Sequence, residues 1–270
     1  MPTDRPDAPT EESAEWRNLE DFAAGIDSNR LAASHDLVGR DVDVRTPDGH
    51  VLRLSFEAPD RLRWAAEGFA WAGSGVEEYE EVPVGDGAYW VDLSLGERRV
   101  ETLTVVLHPE RGWALVVHSK IHDEGADVET RVMQTFHGAR LDGAAAGHVP
   151  APTRDLIGKR TLFRYSPHHL YEHIYLSSRR FTWHNLIGEQ RGHAATELAT
   201  TYKLDEGLYL FTWREEIIPV GTVFVFDYAN GRSTGKFIGL EGDGTITNSK
   251  GGALIIPFGQ SDYGQYQEPV

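Results

Sequence analysis

Apolar residues along this chain come in short runs, some alternating with polar positions and some wholly apolar. Pro-Asp-Gly, Gly-Asp-Gly, Asp-Glu-Gly and Asn-Gly stretches separate them, and such stretches favour tight hairpin turns. Predicted strands in the first half are Val51 to Phe56, Ala88 to Leu93, Thr102 to Leu107 and Trp113 to Val117. In the second half they are Leu162 to Tyr165, Tyr171 to Leu176, Leu208 to Trp213, Thr222 to Phe226 and Ala253 to Phe258. A helical period appears only at the front, where Trp16, Leu19, Phe22, Ala23 and Ile26 follow Ser13 as an N-cap. That helix is expected to cover one end of the first barrel.

The two halves repeat. Asp36-Leu37-Val38-Gly39-Arg40 is answered by Asp155-Leu156-Ile157-Gly158-Lys159, 119 positions later. Arg61-Leu62-Arg63-Trp64 is answered by Arg180-Phe181-Thr182-Trp183, and Gly112 by Gly231, at the same spacing of 119. Gly87-Ala88-Tyr89-Trp90 matches Gly207-Leu208-Tyr209-Leu210 at 120, one loop residue more. Strands at regular spacing without intervening helices predict an all-β fold with an up-and-down barrel or a sandwich in each copy, and the barrel form, two tandem lipocalin-like (calycin) antiparallel β-barrels after a short N-terminal helix, is the expected one. Eight-stranded closure removes sheet edges and leaves an interior that fits side chains or one small ligand. The expected organisation is a tail and helix over 1–34, a first barrel over 35–143, a flexible Gly/Pro-punctuated linker over 144–154, a second barrel over 155–260 and a tail over 261–270.

Composition narrows the function. The net charge of −16 opposes binding to nucleic acid and to anionic membranes, and no basic cluster offsets it. Cysteine is absent, which excludes disulfides, thiolate nucleophiles and cysteine-held metal. No apolar run approaches a membrane span and the first residues lack a signal-peptide core, so a cytoplasmic location is expected. Aromatics at 10% supply a core despite a mean hydropathy of −0.41. The expected partner is a small-molecule ligand or substrate, with a homodimer as the candidate assembly.

Tyr209, Phe211, Trp213 and Glu215 share one parity of a predicted strand and so point to one face, an aromatic row ending in a carboxylate. Inside a barrel, desolvation would raise the pKa of Glu215 and make it a proton donor near neutral pH. The strand equally allows Glu215 to lie past its end, in water or paired with Arg214. Phe163 and Tyr165 share a face, and a buried phenol hydrogen-bonds a ligand or packs internally. Arg191, between Gly188 and Gly192, suits a flap that clamps an anion or an ordinary surface position. His173 and His184 could meet across adjacent strands, but no metal-binding spacing accompanies them, and neither metal nor cofactor is expected. No phosphate loop or nucleophile elbow is present.

The stretch Asp155-Leu-Ile-Gly-Lys, with Arg164 to Leu176 and Arg180-Phe-Thr-Trp-His184, resembles the family of molybdenum cofactor biosynthesis protein F (MoaF), over about residues 30–260. The resemblance implies an N-terminal and a C-terminal calycin-like domain. The second copy also resembles phenolic acid decarboxylase, a cofactor-free lipocalin-like barrel, through Leu156 to Lys159, Glu172 to Tyr175, Gly188 to Arg191 and Tyr209 to Glu215. That resemblance implies a carboxylate-gripping phenol at Tyr165, a flap arginine at Arg191 and a proton-donating glutamate at Glu215, with Phe163 where the decarboxylase has a further tyrosine. The first copy departs more, with Leu95 near the position of Glu215 and Thr46 near that of Tyr165. The expected function is a lyase or isomerase working by acid–base chemistry on a small unsaturated or aromatic acid, in a cavity walled by Trp183, His184, Tyr209, Phe211, Trp213 and His173. A non-catalytic carrier linked to pterin metabolism and a scaffold with filled barrels are the alternatives.

Overall fold

The computed structural model describes residues 24–97, 99–144, 148–263 and 266. The first half holds β1 (Asp41–Arg45), β2 (Val51–Ala58), β3 (Arg61–Glu67), β4 (Gly73–Glu77), β5 (Tyr79–Val84), β6 (Ala88–Leu95), β7 (Glu101–His108), β8 (Trp113–Ile121) and β9 (Val132–Leu141). The second holds β10 (Ala151–Pro152), β11 (Lys159–Ser166), β12 (His169–Tyr175), β13 (Arg180–Ile187), β14 (Ala194–Asp205), β15 (Leu208–Arg214), β16 (Val220–Asp227), β17 (Arg232–Leu240) and β18 (Ile246–Gln260). No helix occurs among the described residues, and none there is long and apolar enough to cross a membrane.

The strands form two tandem antiparallel barrels. In the second, β11 to β18 pair in chain order, β14 pairs β15, and β18 returns to β11, so an eight-stranded ring closes. The first follows the same order, with β9 returning to β1. There the place of the long β14 is taken by β4 and β5, which pair with β3 and β6 but not with each other, leaving the ring nearly closed. The sequence repeat survives in the strands: β7 and β16, like β8 and β17, begin 119 positions apart. The predicted strands all fall on observed ones, except that Leu176 lies one residue beyond β12.

Two corrections concern the connections. Trp16 to Ala23 of the expected helix lie outside the described residues. Ile26 lies in a turn and is buried, and it joins the core of the second barrel rather than the first. The chain after it is pinned there: Gly252 N–H donates to Ile26 O at 3.1 Å, Asn29 Nδ2 to Arg164 O at 2.9 Å, and Arg232 to Asn29 O at 3.0 Å. Gly252 is required at this crossing, because a Cβ there would come within 2.4 Å of Arg30 Cα. The described part of the expected flexible linker is also packed. Ala151–Pro152 forms the short β10 against β14, and Pro150 O lies 2.2 Å from where a Cβ on Gly138 would stand.

The wholly apolar runs are explained by burial on both faces. Alternate residues of β6 to β8 fill the first barrel, as Val91, Leu103, Val105, Ala114 and Val116 do. Their neighbours Trp90, Val106, Leu115 and Val117 meet Leu210, Val223 and Val225 of the second barrel in one inter-barrel core. Inside that contact Asp92 and Lys236 are fully shielded from solvent and 2.5 Å apart, Lys250 pairs with the same carboxylate, and Thr104 Oγ1 donates to it at 2.7 Å. Burial pushes the Asp92 carboxyl upward, but the two ammonium groups outweigh it and hold Asp92 well below the usual carboxylate range. Stability from this depressed carboxyl is present above the ordinary carboxylate range and is lost progressively as pH falls below that range through the depressed value. Asp92→Ala strands Lys236 as an uncompensated buried charge and is expected to destabilise the protein by about 3–5 kcal/mol. Adding Lys236→Met should recover most of that loss, as measured by urea unfolding.

Candidate functional site in the C-terminal barrel

Period-two alternation sends Phe163 and Tyr165 of β11, Tyr171, His173 and Tyr175 of β12, and Tyr209, Phe211 and Trp213 of β15 into one interior. Phe224, Phe226 and Phe237 complete it. Most of this interior is solid. Towards one end a narrow cavity of about 40 Å³ remains open. Tyr165, His173, Trp183, Trp213 and Glu215, all nominated from sequence, line it. Tyr171 and Gln190 add two polar groups, and Ile26, Ile218 and Phe237 add apolar surface.

Glu215 follows the end of β15, where its backbone N–H donates to Val220 O at 2.9 Å and keeps the side chain on the parity of Trp213. The residue is half-buried, with its carboxyl in the cavity wall. Trp213 Nε1 donates to Oε1 at 3.3 Å, a long hydrogen bond. Arg214, the neighbour that might have neutralised it, faces the other way and donates to Gln134 and Thr200, both at 3.2 Å. Burial, reinforced by the nearby Glu197, therefore pushes Glu215 up to about 8, against the smaller pull of the Trp213 hydrogen bond. Burial also raises Glu197, which accepts the Glu216 N–H at 3.0 Å.

The other polar groups are neutral too. His173 is enclosed by Phe163, Phe181 and Trp213, with ring centres 4.3, 5.0 and 5.5 Å away, and its Nδ1 has no hydrogen-bond partner among the described residues. Burial lowers His173 to about 3, so it is an uncharged imidazole at the cavity floor. Tyr165 is pushed far above its ordinary value by burial. Burial also lifts Tyr171 to about 12, with Asn185 opposing and Glu215 adding to the rise. Both phenols thus stay protonated as donors.

Several nominated residues lie elsewhere. Phe163 is fully buried beneath the cavity, against His173 and Phe226. Phe211 packs at the same level, 5.2 Å from both Tyr175 and Phe226. Tyr209 points to the opposite end of the barrel, where its hydroxyl donates to Asp155 at 3.1 Å. The register of β12 and β13 sets His173 opposite Trp183 and His184 opposite Glu172, so the two histidines occupy opposite faces and cannot share a ligand. His184 is on the outer wall, 3.6 Å from Glu172. Arg191 is exposed in the loop 188–193, and the turn that begins at Gly188 aims buried Gln190 at the cavity instead. Tyr171 was within reach of sequence reasoning, since it shares the parity of His173, whereas nothing in the loop's sequence marks Gln190.

Fold and cavity together define a tandem β-barrel protein with a titratable aromatic pocket in its C-terminal barrel. Comparison with known proteins places it more closely. The model of the MoaF N-terminal domain matches residues 14–123 and that of the MoaF C-terminal domain matches residues 150–261, and the chain belongs to the MoaF family. Protein MoaF of Klebsiella aerogenes is 29% identical over 238 residues, covering 83% of this chain and 87% of that one. A solved structure from Burkholderia vietnamiensis, described as a candidate beta-lactamase, aligns over 40% of this chain and 100% of its own, at 17% identity and a TM-score of 0.33, too slight a likeness to argue from.

The elevated carboxyl has a consequence for stability. Because its folded pKa exceeds the unfolded one, Glu215 opposes folding increasingly as pH rises from the ordinary carboxylate range to about 8. Glu215→Gln should therefore match the wild type near pH 4 and exceed it at pH 9, by up to roughly 4 kcal/mol at about 1.4 kcal/mol per pKa unit. Denaturant unfolding of both proteins across that pH range checks the sign.

Proposed function

We propose that the C-terminal barrel is the catalytic centre of a cofactor-independent lyase or isomerase, and that Glu215 transfers a proton to or from a small unsaturated or aromatic molecule held in the cavity. One observation carries the reading: a carboxyl without a cationic partner is held in an aromatic pocket, at about pH 8, within reach of a guest. A carboxyl so placed is mainly an acid at neutral pH and a base slightly above it, the condition under which proton transfer is efficient in both directions. The cavity is narrow and mostly apolar with a few converging polar groups, which supports a compact, flat ligand. The family is named for molybdenum cofactor biosynthesis, and that name is what favours the second reading, a carrier of a pterin-like molecule in the same cavity.

Turnover of a panel of unsaturated and aromatic acids and ketones, followed by ultraviolet absorbance between pH 5 and 10, tests the proposal. A single ionisation near pH 8 should govern kcat/KM and vanish, with at least a hundred-fold loss of rate, in Glu215→Gln. A rate that falls above pH 8 assigns Glu215 as donor, and one that rises assigns it as base. Undiminished turnover by Glu215→Gln removes the residue from the mechanism. Saturable binding with no turnover of any compound supports the carrier.

A further inference from the structure

The charge inventory of the cavity constrains its occupant. Its lining includes one carboxyl, two phenols, an imidazole and an amide, but no lysine or arginine. Arg191, the cation expected to clamp an acid group, is exposed outside it. An entering carboxylate would exchange its water shell for neutral donors alone, beside Glu215 and with Glu197 close behind. Desolvating an anion without a counter-ion is among the least favourable steps a site can ask of a ligand.

An uncharged oxygen is well provided for. Tyr165 and Tyr171 come from adjacent strands with ring centres 6.0 Å apart, nearly perpendicular, and both line the cavity. Tyr165 has no hydrogen-bond acceptor among the described residues. Glu215 lines the same cavity, so the donor pair and the acid share one small space. A carbonyl oxygen has two lone pairs and accepts two such hydrogen bonds.

We infer that the cavity takes an uncharged unsaturated carbonyl compound, its oxygen held by the hydroxyls of Tyr165 and Tyr171 and its carbon chain beside Glu215; this rests on the acid–base reading above and names its substrate class. The reaction is then an isomerisation, since the compound has no carboxylate to lose. Glu215 as carboxylate takes a proton from the carbon between the carbonyl and a β,γ double bond. The C–H electron pair forms a double bond between that carbon and the carbonyl carbon while the carbonyl π pair moves onto oxygen, where the phenol hydrogen bonds stabilise the resulting dienolate. Glu215, now the acid, returns the proton to the γ carbon: the β,γ π pair forms the new C–H bond, the enolate π pair shifts to the α,β position and an oxygen pair re-forms the carbonyl. Nothing is oxidised or reduced, and no group leaves.

Benzylideneacetone and cinnamate test this inference, because they differ in a methyl ketone against a carboxylate on the same skeleton. Their binding to the full chain is measured at pH 7 and pH 9 by calorimetry and by quenching of tryptophan fluorescence. The ketone should bind at least ten-fold more tightly, and Tyr165→Phe and Tyr171→Phe should each weaken it about three- to ten-fold. In Glu215→Gln the ketone affinity should hold while cinnamate gains at pH 9, as the neighbouring negative charge is gone. If a phenylalanine variant does not fold, the wild-type ratio of ketone to acid decides the matter. Cinnamate binding as tightly as the ketone overturns the inference alone and leaves the acid–base reading standing. Failure of both compounds to bind at millimolar concentration overturns both.

Discussion

A carboxyl group kept among aromatic rings without a counter-ion is tolerable only if water is excluded and the proton is retained, and much of the second barrel serves that condition. Ring closure through the continuous β14 leaves no seam beside Glu215, and Ile26 is seated against the cavity from a distant part of the chain. The groups around it are neutral, so nothing draws the carboxyl down except the indole of Trp213 at 3.3 Å. Where the first barrel breaks its equivalent strand into β4 and β5, it also has leucine near the place of the acid. The two copies share a topology, but one has kept a sealed ring around a titratable group and the other has relaxed both features together.

The first barrel nevertheless contributes to the site from behind. Strands β15 and β16 carry the cavity's aromatic wall on one face and on the other present Leu210, Val223 and Val225, which would be wet in an isolated barrel. Trp90, Val106 and Leu115 cover them, and Gln134 bonds both Arg214 and the backbone of Thr222. Arg214 is thereby held on the outer side, away from the carboxyl of the very next residue. Gly221 belongs to the same fit, since a Cβ there would stand 2.5 Å from Val132. Inter-barrel packing and the uncompensated state of Glu215 are two results of one alternation along a strand.

That alternation is also why so much was legible before the structure. Hairpin turns and a repeat at 119 positions sufficed to give the fold class and the duplication, while parity along β15 put Glu215 on the face of Trp213 but left open whether it lay past the strand end in water. Parity alone cannot say how far along a barrel a residue lies, and so Tyr209 and Phe211 were grouped with the cavity although they sit at its far end and beneath it. It also says nothing of loops, where Gln190 and Arg191 exchange roles. His184 illustrates a third limit: the register that puts it opposite Glu172 on the outer wall is set by pairing between strands, not by either strand's own sequence. The seat of the 24–31 segment rests on contacts with residues more than a hundred positions away, such as Arg164 and Thr234, which no local pattern encodes.

The resemblance to a decarboxylase acquires a different meaning once the side chains are placed. The glutamate and one phenol line the cavity, yet Phe163 is sunk into the core and Arg191 is outside, so two of the three anion-gripping groups that the resemblance implies are missing. A phenol from the neighbouring strand, Tyr171, restores the number of phenol donors while moving one of them to a new wall. A pair of neutral donors facing a neutral acid discriminates by charge before it discriminates by shape: every hydrogen bond offered to an anion must offset a desolvation penalty that an uncharged oxygen largely escapes. With the buried carboxyl present and the charge-recognising arginine outside the cavity, the proposed acid–base reading favours moving a proton within a substrate over removing carbon dioxide from one.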